Sequence, residues 1–159
     1  EDEREVVATR ADKSLSREVT FDQDIIKPRE LFAELQRQVE SVAGRLRAEG
    51  LAARTIQIKV RDARFRTQTR SRSLRVPTTS TQVIFKQARF LLDKWLQEHS
   101  NTPVRLLGAG VSGLEEPDPR GIDYDTAEQK TLDKTLDEIR HRYGENKATH
   151  AGALKTDKK

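Results

Sequence analysis

The chain has 159 residues, 34% hydrophobic and 35% charged, enough for one domain of ordinary size with segments outside its core. Cysteine is absent, which excludes disulfides and thiolate metal sites, and no run of 18 apolar residues offers a membrane span. Residues 1–12 carry two bases and five acids, residues 13–114 carry 19 and 10, and residues 115–159 carry nine and 11. A basic middle between mildly acidic ends is the pattern of a polyanion-binding domain with flanking segments.

Residues 1–12 (EDEREVVATRAD) read as a linker. Methionine is absent and the chain begins at Glu1, as expected of a piece of a longer protein. No secretory leader is expected, and the lack of cysteine fits a reducing, cytoplasmic setting. Lys13–Phe21 alternates as a strand, with Leu15, Arg17, Val19 and Phe21 on one face. An arginine on the apolar side is expected at its rim, snorkelling outward. Asp22 and Asp24 then read as caps ahead of a helix opening at Pro28. Leu31, Phe32, Leu35, Val39, Val42 and Leu46 recur at helical spacing, and Gly50 ends the run.

The stretch Arg54–Arg75 holds eight Lys/Arg against one acid, Asp62. It alternates in two halves and reads as a hairpin. Ile56, Ile58 and Val60 take one face and Gln57, Lys59 and Arg61 the other. In the second half Arg64, Arg66, Gln68, Arg70 and Arg72 share a side, expected to be that of Lys59, with Phe65 turned to the core. A solvated edge strand is the plainer reading of alternating charge. An almost wholly cationic face repels itself, however, so a missing anion explains it better.

Pro77–Thr81 reads as a turn rich in capping hydroxyls. Ile84, Phe85, Ala88, Leu91, Leu92 and Trp95 then mark a second helix ending near His99, with Trp95 in the core. Val104–Leu114 is a fourth strand, with Gly108, Gly110 and Ser112 on one face. Glycine there permits close approach of another backbone, or marks a bend. A loop with Pro117, Pro119 and Gly121 leads to a helix over Thr126–Tyr143, striped by Leu132, Leu136, Ile139 and Tyr143. That stripe either docks on a neighbour or leaves the helix loose. Residues 144–159 have a disordered composition.

The order is strand, helix, strand, strand, helix, strand. It predicts an α+β, ferredoxin-like βαββαβ sandwich: a four-stranded antiparallel sheet, both helices on one face, and a C-terminal helical tail. The domain is expected over 13–114, with 115–159 as tail.

His99, His141 and His150 lack metal spacing and read as surface residues. Gly108-Ala109-Gly110 with Gly113 lacks the helix a dinucleotide loop requires. No nucleophile–base set can be argued, so the fragment itself is expected to be no enzyme and to need no cofactor. The open sheet face carries no aromatic platform for stacking bases, which argues against single-strand capture and for the phosphates of a duplex. The expected DNA-binding residues are Lys59, Arg61, Arg64, Arg66, Arg70 and Arg72. Ser14, Ser16, Gly108 and Gly110 would let phosphates approach main-chain N–H groups. Membrane association is not expected, and a monomer is.

Several motifs together resemble one family. Lys13-Ser14-Leu15-Ser16-Arg17-Glu18-Val19-Thr20-Phe21 with Asp24-Ile25 is similar to the opening of the little-finger domain of Y-family DNA polymerases of the polymerase IV type. Arg45-Leu46-Arg47 with Gly50-Leu51, the run Arg54–Arg61, Phe65, and Thr67–Leu74 (TQTRSRSL) resemble its helix end and middle hairpin. Pro77-Thr78 and Val104–Leu114 (VRLLGAGVSGL) match its last segments, and Asp137–Arg140 with Arg142-Tyr143-Gly144 its tail helix. The resemblance implies a domain that grips primer–template duplex for an error-prone translesion polymerase, a nucleotidyltransferase of DNA repair and mutagenesis. The catalytic palm, with its Mg²⁺, would then lie outside this chain, and residues 1–12 would tether the domain to a thumb. A sliding clamp would be a partner of the parent protein, although no clamp-binding peptide is evident in Ala148–Lys159. The alternative is the same domain in a catalytically inactive relative, serving as an interaction module.

Overall fold

The computed structural model describes residues 13–117 and 127–144. The segments read as linker and terminal tail, and the loop around Pro119 and Gly121, lie outside the described residues. The elements are β1 (Leu15–Ile25), α1 (Pro28–Ala48), β2 (Ala52–Asp62), β3 (Thr67–Thr78), α2 (Thr81–Glu98), β4 (Val104–Glu115) and α3 (Ala127–Tyr143). The four strands form one antiparallel sheet in the order β1-β4-β2-β3. Each βαβ unit is therefore split, with β4 inserted between β1 and β2, and β2 between β3 and β4.

Local chemistry sets the helix ends. Pro28 opens α1, where its missing N–H leaves no partner unmet. Lys27 holds the capping position without a side-chain bond, and Asp24 pairs instead with Arg105 at 3.3 Å. The aspartates were expected to cap α1, but the strand carries Asp24 to a different neighbour. At the other end Gly50 takes φ +67°, Gly50 N–H donates to Arg47 O, and Leu51 N–H donates to Leu46 O. That pair of bonds is a Schellman closure, which requires the left-handed conformation glycine adopts freely. Ser80 caps α2 by accepting from Val83 N–H at 3.2 Å.

Both long helices pack on one side of the sheet. Leu31, Leu35, Val39 and Leu46 of α1 and Ile84, Leu92 and Trp95 of α2 close over Ile56, Ile58, Val60, Leu107 and Val111. Full burial of such a side chain contributes about 1.5–3 kcal/mol. Buried Gln38 ties α1 to the sheet by donating to Leu107 O at 2.9 Å. Arg17, on the same side of edge strand β1, reaches outward to Ser41 Oγ at 3.1 Å, as the snorkelling expectation requires.

Helix α3 docks through a set of charged contacts. Arg47 of α1 grips Asp137 with two bonds, at 2.7 and 2.9 Å. Arg140 reaches buried Glu40 at 2.9 Å. Asp133, itself buried, accepts the N–H of Thr81 at the start of α2. Leu132 stays exposed. Gly44 makes the approach possible, since a Cβ there would stand 3.3 Å from an Asp137 oxygen.

Candidate nucleic-acid interface

Residues directly opposed across an antiparallel pair point to the same side. The register therefore assigns every strand residue to a face. On the side away from the helices, Ser16, Gly110, Gln57 and Ser71 form one row across the sheet. Glu18, Gly108, Lys59 and Thr69 form the next, and Thr20, Leu106, Arg61 and Thr67 the third. Thr55 and Ser73 extend the surface and share a hydrogen bond of 3.0 Å.

This open face sets Glu18, Gln57, Lys59 and Arg61 among small hydroxyl side chains, around a glycine strip with none. Gly108 and Gly110 lie on central strand β4, and Cβ atoms there would come within 3.0 Å of the Cβ atoms of Glu18 and Ser16. Their absence leaves a depression of about 220 Å³ floored by backbone. Lys59 bridges to Glu18 at 3.1 Å beside it, and Arg61 Nε donates to Thr67 Oγ1 at 2.8 Å. The surface thus offers hydroxyls, an amide, two cations and the Glu18 carboxylate beside a buried glycine strip. Exposed Ser14 precedes β1, just beyond this surface.

The β2–β3 hairpin closes with the three-residue loop Ala63-Arg64-Phe65. Phe65 N–H donates to Asp62 O, Asp62 N–H donates to Arg66 O, and Phe65 sits at φ +63°. This is a type I turn followed by a left-handed residue. Asp62 holds it: its carboxylate accepts from the N–H groups of Arg64 and Arg66 and from Arg66 Nε. Partial desolvation pushes that carboxyl upward, but these three bonds and the Arg66 charge outweigh it, and the net shift is downward. Phe65 was expected in the core; it is 64% exposed, with the Arg105 guanidinium 4.3 Å from its ring centroid. Arg64 and Arg66 sit at this tip, exposed.

The loop length decides where the remaining arginines go, and it overturns one expectation. Lys59 opposes Thr69, while Arg70 opposes Ile58 and Arg72 opposes Ile56. Gln68, Arg70 and Arg72 therefore lie on the helix side of the sheet, not beside Lys59 and Arg61. Their contacts agree. Trp95 Nε1 donates to Gln68 Oε1 at 3.0 Å, Arg70 bonds Glu98, and the Arg72 guanidinium lies 4.5 Å from the Phe90 centroid. The bond from Arg70 holds the Glu98 carboxyl below its usual range. One residue more or less in the turn would reverse every side chain of β3. The sequence reading instead missed Thr67, Thr69 and Ser71, which the register brings to the open face.

Of the expected residues, the structure unites Lys59, Arg61, Ser16, Gly108 and Gly110 on one face. It places Arg64 and Arg66 at the hairpin tip and Arg70 and Arg72 on the opposite face. Trp95 is buried, and His99 stacks on it with ring centroids 4.3 Å apart. Among the described residues no three His, Asp or Glu side chains converge to hold a metal, and no helix is long and apolar enough to cross a membrane.

Residues 12–124 match the model of the impB/mucB/samB family C-terminal domain. The chain belongs to this family. It is a little-finger domain of the Y-family DNA polymerases. It is 40% identical to DNA polymerase IV of Dehalococcoides mccartyi over 144 residues, 90% of this chain and 37% of that protein. It is 46% identical to DNA polymerase IV of Streptomyces coelicolor over 115 residues, 72% of this chain and 23% of that one. The chain thus spans 23% to 37% of the length of these two relatives. Its fold matches the little-finger domain of PolIV solved in complex with a beta-clamp processivity factor, with TM-score 0.53 and 20% identity, covering 72% of this chain and all of that one. It also matches Dbh DNA polymerase in an insertion ternary complex, with TM-score 0.58 and 12% identity over 65% of this chain and 29% of that one. At such identities the little finger shares the fold with these structures.

Proposed function

We propose that this little finger holds the primer–template duplex of a translesion DNA polymerase, and that the open sheet face is the gripping surface. The observation that supports this is the glycine strip on β4, flanked by Lys59 and Arg61 and bordered by serine and threonine hydroxyls. The N–H groups of Gly108 and Gly110 were expected to meet phosphates, but β4 is a central strand whose amides serve the ladders to β1 and β2. Hydroxyls and cations around the strip remain as donors to phosphate oxygens, and such contacts position a protein without reading sequence. Side chains this small let a duplex backbone approach the sheet closely. Arg64 extends the cationic surface from the hairpin tip, whereas Arg66 folds back onto Asp62. Arg70 and Arg72 take no part in that grip, because the sheet stands between them and the duplex.

The parent protein is then a DNA-directed DNA polymerase, with nucleotidyl transfer and its metal ions assigned to a palm domain outside this chain. A sliding clamp belongs among the parent's partners, following the clamp complex of the related little finger. The test is a duplex titration of the charge-reversed Lys59→Glu/Arg61→Glu variant beside Arg70→Glu/Arg72→Glu, at several salt concentrations. The first should lose about tenfold or more in affinity at low salt, with a shallower salt dependence. Equal losses in both variants, or none in the first, overturn the assignment of the open face.

A further inference from the structure

The arginines that β3 turns toward the helices join a cluster on α2. Lys86, Arg89, Phe90 and Lys94 recur at positions that share one helix face, and all are exposed. Arg72 reaches this face from the edge strand and lies over the Phe90 ring, with Lys94 Nζ 5.3 Å from the same centroid. Arg72, Lys86, Arg89, Phe90 and Asp93 line a depression of about 490 Å³. The two acids near it have partners: Glu98 binds Arg70, and Asp93 accepts from Gln97 at 2.9 Å. Four cations thus outnumber one remaining carboxylate, Asp93, around an aromatic ring that is 44% exposed.

We infer that this helix-side surface docks an acidic protein segment carrying an apolar anchor, placing Phe90 at its centre with Arg72, Lys86, Arg89 and Lys94 around it. Three features select that partner. The cations call for carboxylates or phosphates. Phosphate contacts alone give no reason for an exposed phenyl ring inside the depression, whereas an apolar side chain would cover it and gain from leaving water. The Arg72 guanidinium already stacks on the ring, so a nucleobase would have to displace it. The surface also faces away from the proposed duplex, so the domain could hold DNA and a protein partner together. The inference does not depend on the duplex reading, since no residue is common to both.

The experiment uses a labelled 12-residue peptide of alternating Glu and Asp with one central Leu, a second peptide with Ser in place of that Leu, and a 12-nucleotide oligothymidylate. Each is titrated against the unmodified chain, Lys86→Glu/Arg89→Glu and Phe90→Ser, with melting curves confirming that the variants fold. The Leu peptide should bind, and charge reversal should weaken it about tenfold or more. Phe90→Ser should remove the preference for the Leu peptide over the Ser peptide. Duplex affinity, measured in parallel, should stay within about twofold, because these residues lie off the open face. Peptide binding unchanged by both variants overturns the inference. So does oligothymidylate binding that is lost in Lys86→Glu/Arg89→Glu and outcompetes the peptide, which would make the surface a nucleic-acid track. Failure of the duplex reading appears separately, in the Lys59→Glu/Arg61→Glu titration.

Discussion

Ile58 and Lys59 are neighbours in sequence and belong to different surfaces. Ile58 looks toward the helices among Leu, Val and Trp side chains, and the sheet is stable on that side because volume is filled. Lys59 looks toward the open side, where the central feature is volume withheld, at Gly108 and Gly110. The arginines divide just as sharply. On the open side Arg61 is held by a threonine hydroxyl, while on the helix side Arg72 covers Phe90 and Arg89 covers Phe32. Counting cations along a strand therefore does not map an anion-binding face; the register does.

The sharpest way to break this comparison is the neighbouring pair itself. Ile58→Ala should destabilise the domain by about 2–5 kcal/mol in denaturant unfolding, whereas Lys59→Ala should move it by no more than about 0.5 kcal/mol. Comparable effects would mean that the faces are misassigned. Next in size is Gly108→Val, whose side chain would fill the depression. Duplex affinity should fall about tenfold, and because the new Cβ would stand 3.0 Å from that of Glu18 the melting temperature should fall as well. Gly44→Val, on the helix side, should instead leave duplex binding intact and weaken the docking of α3. A subtler contrast lies in the salt slope of duplex binding. Lys59→Ala and Arg61→Ala should each lower it by about one, and Arg72→Ala should leave it unchanged.

The smallest effect concerns the turn that sets the register. The Asp62 carboxyl is held below its usual value near 3.8, so the folded state favours its charged form. That contribution is complete above the unfolded-state value and is lost as pH falls through the lower folded-state value. As pH falls below that usual value, the protection factors of the Arg64 and Arg66 amide protons should fall. The melting temperature should drop more steeply with acidity in the unmodified chain than in Asp62→Asn. Equal slopes would show that the carboxylate does not hold the loop.

Much of the scaffold could be read from residue order. Pro28 and Gly50 bracket α1, Ser80 caps α2, and the glycines of β4 fall on one face, because each depends on local backbone chemistry. The face of β3 was not legible. From Thr67 to Ser73 the strand has no apolar residue to declare which side is buried. Its side was fixed by a loop whose left-handed position holds Phe65 rather than the usual glycine or asparagine, which hides the turn. Half of the candidate site, namely Lys59, Arg61, Ser16 and the two glycines, survives that error because it rests on β2, β4 and β1. Helix α3 was legible as a helix, but its docking was not. Arg47, Asp133 and Arg140 resemble ordinary surface charges until folding brings them together.

That docking bears on where the domain can be cut. Asp133 supplies the acceptor for the Thr81 N–H at the root of α2, some fifty positions earlier in the chain. A minimal fragment trimmed after β4 would keep every strand yet strip the Thr81 amide of the Asp133 oxygen and leave buried Glu40 without Arg140. For crystallography or grafting, the sensible trimming point lies past α3.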